Sequence, residues 1–282
     1  MHIHLQNGPC TAEIDTLGGE LTSFRDGAGT EYIWGGDPAY WSGRNPILFP
    51  IVGSLKDGRV RILGREYEMG RHGFARRSQF TLAEQEESYV VMELRESPDT
   101  LARYPFPFLL RVRHELLTDG FSTTFEVANT GDAPLPFCIG AHTAFRCPMC
   151  DGQRFEDYAL VFDHTEDALS LPLTPQGLIS TGAGIPILQG ADTIPLSHQP
   201  FDQLDTLIFD GLRSTGVRLV HTGTGRGVHM EFKDFPMIAF FDKPWLFCTY
   251  IPDRQAFPIF FPSPFYLVRC CCYTPYKILC KF

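Results

Sequence analysis

No stretch of this chain reaches the roughly 18 consecutive apolar residues that a membrane helix needs. The opening MHIHLQNGPC also lacks the cationic segment followed by an apolar run that marks a secretory signal. A cytoplasmic location is the resulting expectation. Positive charge is scarce: 24 Lys and Arg stand against 33 Asp and Glu, a net charge of −9. A basic face that neutralises nucleic-acid phosphates is therefore not expected. Long helices are excluded by 26 glycines and 22 prolines, which break them too often. The nine cysteines are odd in number and come without a secretion signal, so they do not read as a disulfide framework.

What is present is a series of short β-type runs between turn signals. Tyr89–Arg95 is one. Phe108–Leu117 ends at the turn Thr118-Asp119-Gly120, after which Phe121–Asn129 continues the alternation. Thr206–Phe209, Gly216–Val220 and Gly227–Phe232 follow. This spacing predicts an all-β fold, a large antiparallel sandwich or barrel, with neither an internal repeat nor a linker. One short helix is expected at Thr100–Tyr104, capped by Ser97-Pro98-Asp99 and stopped by Pro105.

The composition changes near the end. All 26 glycines lie at or before Gly227, and no glutamate follows Glu231. The last residues, FPIFFPSPFYLVRCCCYTPYKILCKF, are rich in Phe, Pro and Cys without polar alternation. Residues 1–245 read as one domain and 246–282 as an atypical segment that completes or replaces its last strands. Two accounts compete, a native aromatic-rich strand pair and a frameshifted translation, and the break in composition favours the second.

Three segments set polar groups among glycines, prolines and aromatics: Arg44–Gly53 continuing to Gly58, Arg71–Arg76, and Phe137–Phe145. Each carries an Arg or His that could face a cleft, and imidazole is suited to proton transfer near neutral pH. A lone His in an apolar run is more often a hydrogen-bonded core residue, so these segments alone do not define a reaction.

Together with EYIWGGDPAYW, YPFPFLLRV, DTLIFDGLRS and FPMIAF, the segments NPILFPIVGSLKDGR, HGFARRSQF and VANTGDAPLPFCIGAHTAF resemble, in order and spacing, the aldose 1-epimerase (galactose mutarotase) family. The likeness is nearest to its LacX-like branch and spans roughly residues 5–245. It implies a β-supersandwich of the galactose mutarotase type that interconverts the α and β anomers of a free aldose. No cofactor or metal is implied, and the partner is a small-molecule sugar rather than nucleic acid or membrane. Ring opening takes the proton from the C1 hydroxyl while one is given to the ring oxygen, and each transfer contributes roughly 10²–10⁴-fold. By motif, His142 corresponds to the family's general acid and His72 to its second cleft histidine. Arg44 and Asp205 correspond to substrate contacts, with Asp202 the less favoured register. The family's base, a glutamate in a Cys-Ile-Glu-Pro-Trp type motif, has no counterpart in Leu246–Tyr266, whose sole carboxylate is Asp253. The base is unassigned, and impaired turnover is expected, with Asp253 or Asp242 as substitutes.

Other readings carry less. Cys147-Pro-Met-Cys150 has no second CxxC to complete a zinc site. Gly223-Thr-Gly-Arg-Gly227 lies between strands and opens no helix, so it is not a nucleotide fingerprint. Arg71, Arg76 and Arg77 could hold a sugar phosphate, as in relatives acting on hexose 6-phosphates, although solvated charge on a strand edge is the simpler account. A catalytically silent carbohydrate-binding protein is the remaining alternative.

Overall fold

The strand Phe108–Leu117 buries every second side chain along most of its length, and Gly120–Asn129 does much the same. This is how a sheet with one face on a core is written. The turn at Thr118-Asp119 pairs the two strands from Leu117 opposite Gly120 to Phe108 opposite Asn129. The structure, a computed structural model, describes residues 1–180, 182–241, 245–246, 248–251 and 275–282.

Nine antiparallel strands form the main sheet, in the order Ile185–Pro195, Tyr158–Ser170, Gly216–His221, Gly227–Glu231, Pro275–Lys281, Gly120–Asn129, Phe108–Leu117, Tyr89–Arg95 and Thr81–Gln85. A second sheet holds five: Thr206–Asp210, Met237–Phe241, Cys248–Ile251, Ile139–Ala141 and Ile47–Leu48. His2–Asn7, Cys10–Asp15 and Glu20–Arg25 make a third. The fold is an all-β sandwich. Phe162 of the nine-stranded sheet meets Phe209 and Phe240 of the five-stranded sheet at 6.1 and 6.0 Å between ring centroids. Phe24 of the third sheet meets Phe121 at 5.6 Å. Offset and edge-on ring pairs of this kind add to the area they bury.

The expected helix runs Pro98–Arg103, and Ser97 accepts the Thr100 N–H while the Thr100 hydroxyl accepts the Ser97 N–H. A second short helix, Gln199–Leu204, was not foreseen. Its signal is a single proline in the first turn with no side-chain cap. Among the described residues no helix is long and apolar enough to cross a membrane, and Cys10, Cys138, Cys147, Cys150 and Cys280 are free thiols.

The end of the chain lies inside the main sheet. Pro275–Lys281 pairs with Gly120–Asn129 on one side and Gly227–Glu231 on the other. Ile278 and Cys280 are buried, and the Phe282 ring stacks on Phe24 at 4.3 Å. Asp242, Asp253 and the Cys270-Cys271-Cys272 run lie outside the described residues.

Candidate active site

His142 follows the strand Ile139–Ala141, which lies between Cys248–Ile251 and Ile47–Leu48 in the five-stranded sheet. Its N–H donates to the Pro46 carbonyl at 3.1 Å, and two residues on the Ala144 N–H donates to the Arg44 carbonyl at 2.8 Å. The imidazole is half-buried between two rings, Trp41 at 4.7 Å and Phe241 at 5.0 Å, the latter stacked at 20°. Among the described residues its Nδ1 has no hydrogen-bond partner. Loss of water around the ring, reinforced by the cationic Arg71, pushes the pKa down to about 4. A ring with this pKa is neutral at pH 7, so to act as an acid it must first take up a proton.

His72 stands edge-on to His142, with ring centroids 5.8 Å apart and planes at 84°. It is buried and has φ 65°, a left-handed conformation uncommon outside glycine. Two hydrogen bonds hold it there: the His72 N–H donates to the Gly53 carbonyl at 2.8 Å, and the Gly53 N–H donates to His72 Nδ1 at 3.0 Å. Since Nδ1 accepts, the proton of the neutral ring sits on Nε2. Nε2–H is thereby the donor that the ring has to offer. Burial, with His142 and Arg71 beside it, pushes its pKa down to about 2. The next residue must be glycine: Gly73 has φ 71°, and a Cβ there would lie 2.2 Å from the Phe49 carbonyl oxygen.

Arg44 reaches the site through its backbone. Its guanidinium donates from Nε and an Nη to the Gly35 carbonyl at 3.0 and 2.9 Å, closing the loop that carries Trp41. The Arg44–Asn45 turn is held by Glu20, whose Oε1 accepts the N–H groups of Arg44 and Asn45 at 2.7 and 2.5 Å. Burial raises the Glu20 pKa against the two N–H donors that lower it. Beyond the turn, buried Asn45 Oδ1 accepts from buried Thr143 Oγ1 at 2.7 Å, immediately beside His142. On the other side, Gly19 O accepts from His114 Nε2 at 2.9 Å, while His114 Nδ1 contacts Thr123 Oγ1 at 2.9 Å. A carbonyl can only accept, so His114 carries its proton on Nε2 and takes the Thr123 hydroxyl proton at Nδ1. Burial pushes its pKa down to about 4. Two sets of polar contacts, joined through the Gly19–Glu20 peptide, thus lie between the nine-stranded sheet and the residue next to His142.

Asp205 is exposed, with φ 60° at the end of the helix Gln199–Leu204. It precedes the edge strand Thr206–Asp210, where Thr206 lies opposite Phe241, the residue stacked on His142. The register therefore carries Asp205 to the same end of the five-stranded sheet as His142, with no direct contact between them. Of the four expected residues, His72 and His142 touch, Arg44 joins through the backbone, and Asp205 shares the sheet end. Trp41, Phe241 and Glu20 were not singled out from sequence. Trp41 sits in the EYIWGGDPAYW segment, but nothing local to a residue's neighbours marks Glu20. Arg71 and Arg76 both lower the pKa of each histidine through their charge. The buried Nε of Arg76 has no partner among the described residues.

The aldose 1-epimerase family model matches residues 1–259. The chromosomal and plasmid LacX proteins of Lactococcus lactis subsp. lactis are each 38% identical over 244 residues, 84% of this chain and 81% of theirs. Among solved structures, the galactose mutarotase related enzyme of Lactobacillus acidophilus superposes with a TM-score of 0.87 at 23% identity, covering 100% of this chain and 97% of its own. The galactose mutarotase-like protein of Lactobacillus casei gives 0.87 at 22%, covering 100% and 99%.

Proposed function

This chain belongs to the aldose 1-epimerase family, and from that premise we propose that it interconverts the α and β anomers of a free hexose by acid–base ring opening. The observation that carries the reading is the pair of histidines in edge-to-face contact at 5.8 Å, His72 with its donor fixed on Nε2 and His142 with an Nδ1 that has no partner among the described residues. In this reading His142 gives the proton to the ring oxygen, His72 and Asp205 contact sugar oxygens, and Arg44 fixes the wall of the cleft. Trp41 and Phe241 keep water from the His142 ring. No cofactor takes part.

The base is unassigned, because the family's glutamate is missing from the sequence and the substitutes Asp242 and Asp253 lie outside the described residues. Turnover is accordingly weak, while sugar binding through the remaining groups persists, since binding contacts and proton transfer are separable contributions. Residues 1–245 act as one domain that 246–282 completes, a reading supported by the burial of Ile278 and Cys280.

Polarimetry of freshly dissolved α-glucose and α-galactose tests the activity, with titration calorimetry for binding. The proposal expects saturable sugar binding with mutarotation only modestly above the buffer rate. Neither binding nor acceleration would sink the whole reading, and fast mutarotation would overturn the impairment alone. A second reading, a hexose-6-phosphate mutarotase, is favoured by Arg71, which precedes His72 in the chain, and by Arg76, whose buried Nε has no partner among the described residues. Tighter binding of the 6-phosphate than of the free sugar, lost in Arg76→Ala, would select it.

A further inference from the structure

Three neighbouring strands of the nine-stranded sheet set Arg218 opposite His229, and His229 opposite Lys281. Directly opposed residues share a face, with Cβ atoms roughly 4.5–5.5 Å apart. The three side chains therefore form one row across the sheet. Arg218 and Lys281 are exposed, and among the described residues neither has an ion-pair partner. The two cations flank His229 on either side, and they stand on a protein of net charge −9.

The row lines a concave groove of about 410 Å³ that also takes in Arg226, Asp26 and Tyr32. Arg226 belongs to the glycine-rich turn Gly223-Thr-Gly-Arg-Gly227, which the cleft does not use, and lines the groove together with Tyr32. Gly225 and Gly227 put bare backbone into the lining. The groove's one carboxylate side chain, Asp26, is already engaged: Oδ1 accepts from the Ala28 and Thr30 N–H groups at 2.9 Å, and Oδ2 accepts from the Tyr32 hydroxyl at 2.9 Å. His229 faces Asp163 at 3.5 Å, over Gly216, where a Cβ would strike both side chains. Arg218, Arg226 and Lys281 thus line one concavity in which the Asp26 side chain is already engaged.

From this geometry we infer a second binding site on the sheet, separate from the histidine cleft, for a small phosphorylated or diphosphorylated metabolite. A phosphoryl group offers several oxygens to a guanidinium fork, and clefts lined by one sign of charge concentrate counter-ions. The groove spans only three strands, roughly 10 Å between the outer two. That suits a small ligand better than a nucleic-acid backbone.

The test titrates the purified chain with inorganic pyrophosphate, following backbone amide shifts by NMR and affinity by calorimetry. Saturable shifts are expected at Gly225, Gly227, His229 and Lys281. In Arg218→Ala/Lys281→Ala the affinity should fall at least tenfold, whereas Arg76→Ala should leave it within twofold. Both substituted side chains are exposed, and sugar binding by the double variant serves as the check that the fold is intact. Absence of saturable shifts in the groove would overturn the site. So would binding that only Arg76→Ala removes, which would move the phosphate to the cleft. Failure of mutarotation leaves this outcome unaffected, because no readout depends on turnover.

Discussion

Glu20 and Asn45 are 25 positions apart in sequence, yet the Glu20 carboxylate accepts the Asn45 backbone N–H at 2.5 Å, and the Arg44 N–H as well. One oxygen thereby fixes the turn whose next peptides carry the strand beside His142. The two residues belong to different sheets' margins, so the contact is a tertiary clamp on the cleft wall.

Removing that clamp separates its shape from its charge. Glu20→Ala leaves two partly buried N–H groups unsatisfied, a cost of about 1–3 kcal/mol each. Sugar affinity should fall roughly tenfold and the His142 ring resonances should shift. Glu20→Gln keeps the acceptor oxygen and should recover affinity to within about threefold. Equal losses in both variants would assign the effect to charge instead.

The acid role of His142 has a distinctive pH signature. With a pKa of about 4, about one ring in a thousand is protonated at pH 7. If His142 donates as imidazolium, the rate above buffer should rise by about tenfold per pH unit on going from pH 7.5 towards 5. His142→Gln should abolish that increment with the fold retained, as read by circular dichroism. A rate that stays flat over this range, or that survives His142→Gln, would remove His142 from the donor role.

Stability should depend on pH in the opposite sense. His114 is buried with its pKa held at about 4, below the ordinary 6.5, so the folded state binds its proton less readily than the unfolded chain. The stabilisation is complete above about pH 6.5 and is lost as pH falls towards 4, a change of roughly 3 kcal/mol for this residue. Urea midpoints between pH 7.5 and 4.5 measure it. In His114→Gln that acid-side slope should be shallower, and an unchanged slope would point to other groups.

Gly73 offers a steric check on the His72 loop. Alanine there would place Cβ 2.2 Å from the Phe49 carbonyl oxygen at φ 71°, a strained position costing about 1–3 kcal/mol before the clash is counted. Gly73→Ala should lower the melting temperature by several degrees, about 2–4 °C per kcal/mol, and weaken sugar binding further by displacing His72. Binding and melting at wild-type values would mean that the loop has another arrangement.

Local chemistry determined a good deal by itself. The period-two alternation of Phe108–Leu117 and Phe121–Asn129 specified their pairing, because burying one face of a sheet leaves one register. Ser97-Pro98-Asp99 specified the helix at Pro98–Arg103, because a cap is satisfied within one turn. The motifs around His72 and His142 singled out two histidines whose rings the structure brings together. Tertiary structure decided the rest. The cage of Trp41 and Phe241 around His142, the reach of Glu20 to Asn45, and the row Arg218–His229–Lys281 all join residues far apart in sequence. Composition could mark the last residues as unusual, but only the sheet could place Ile278 and Cys280 in its core. Those relations arise from sheet register and burial, which couple distant segments and leave no local trace in either partner.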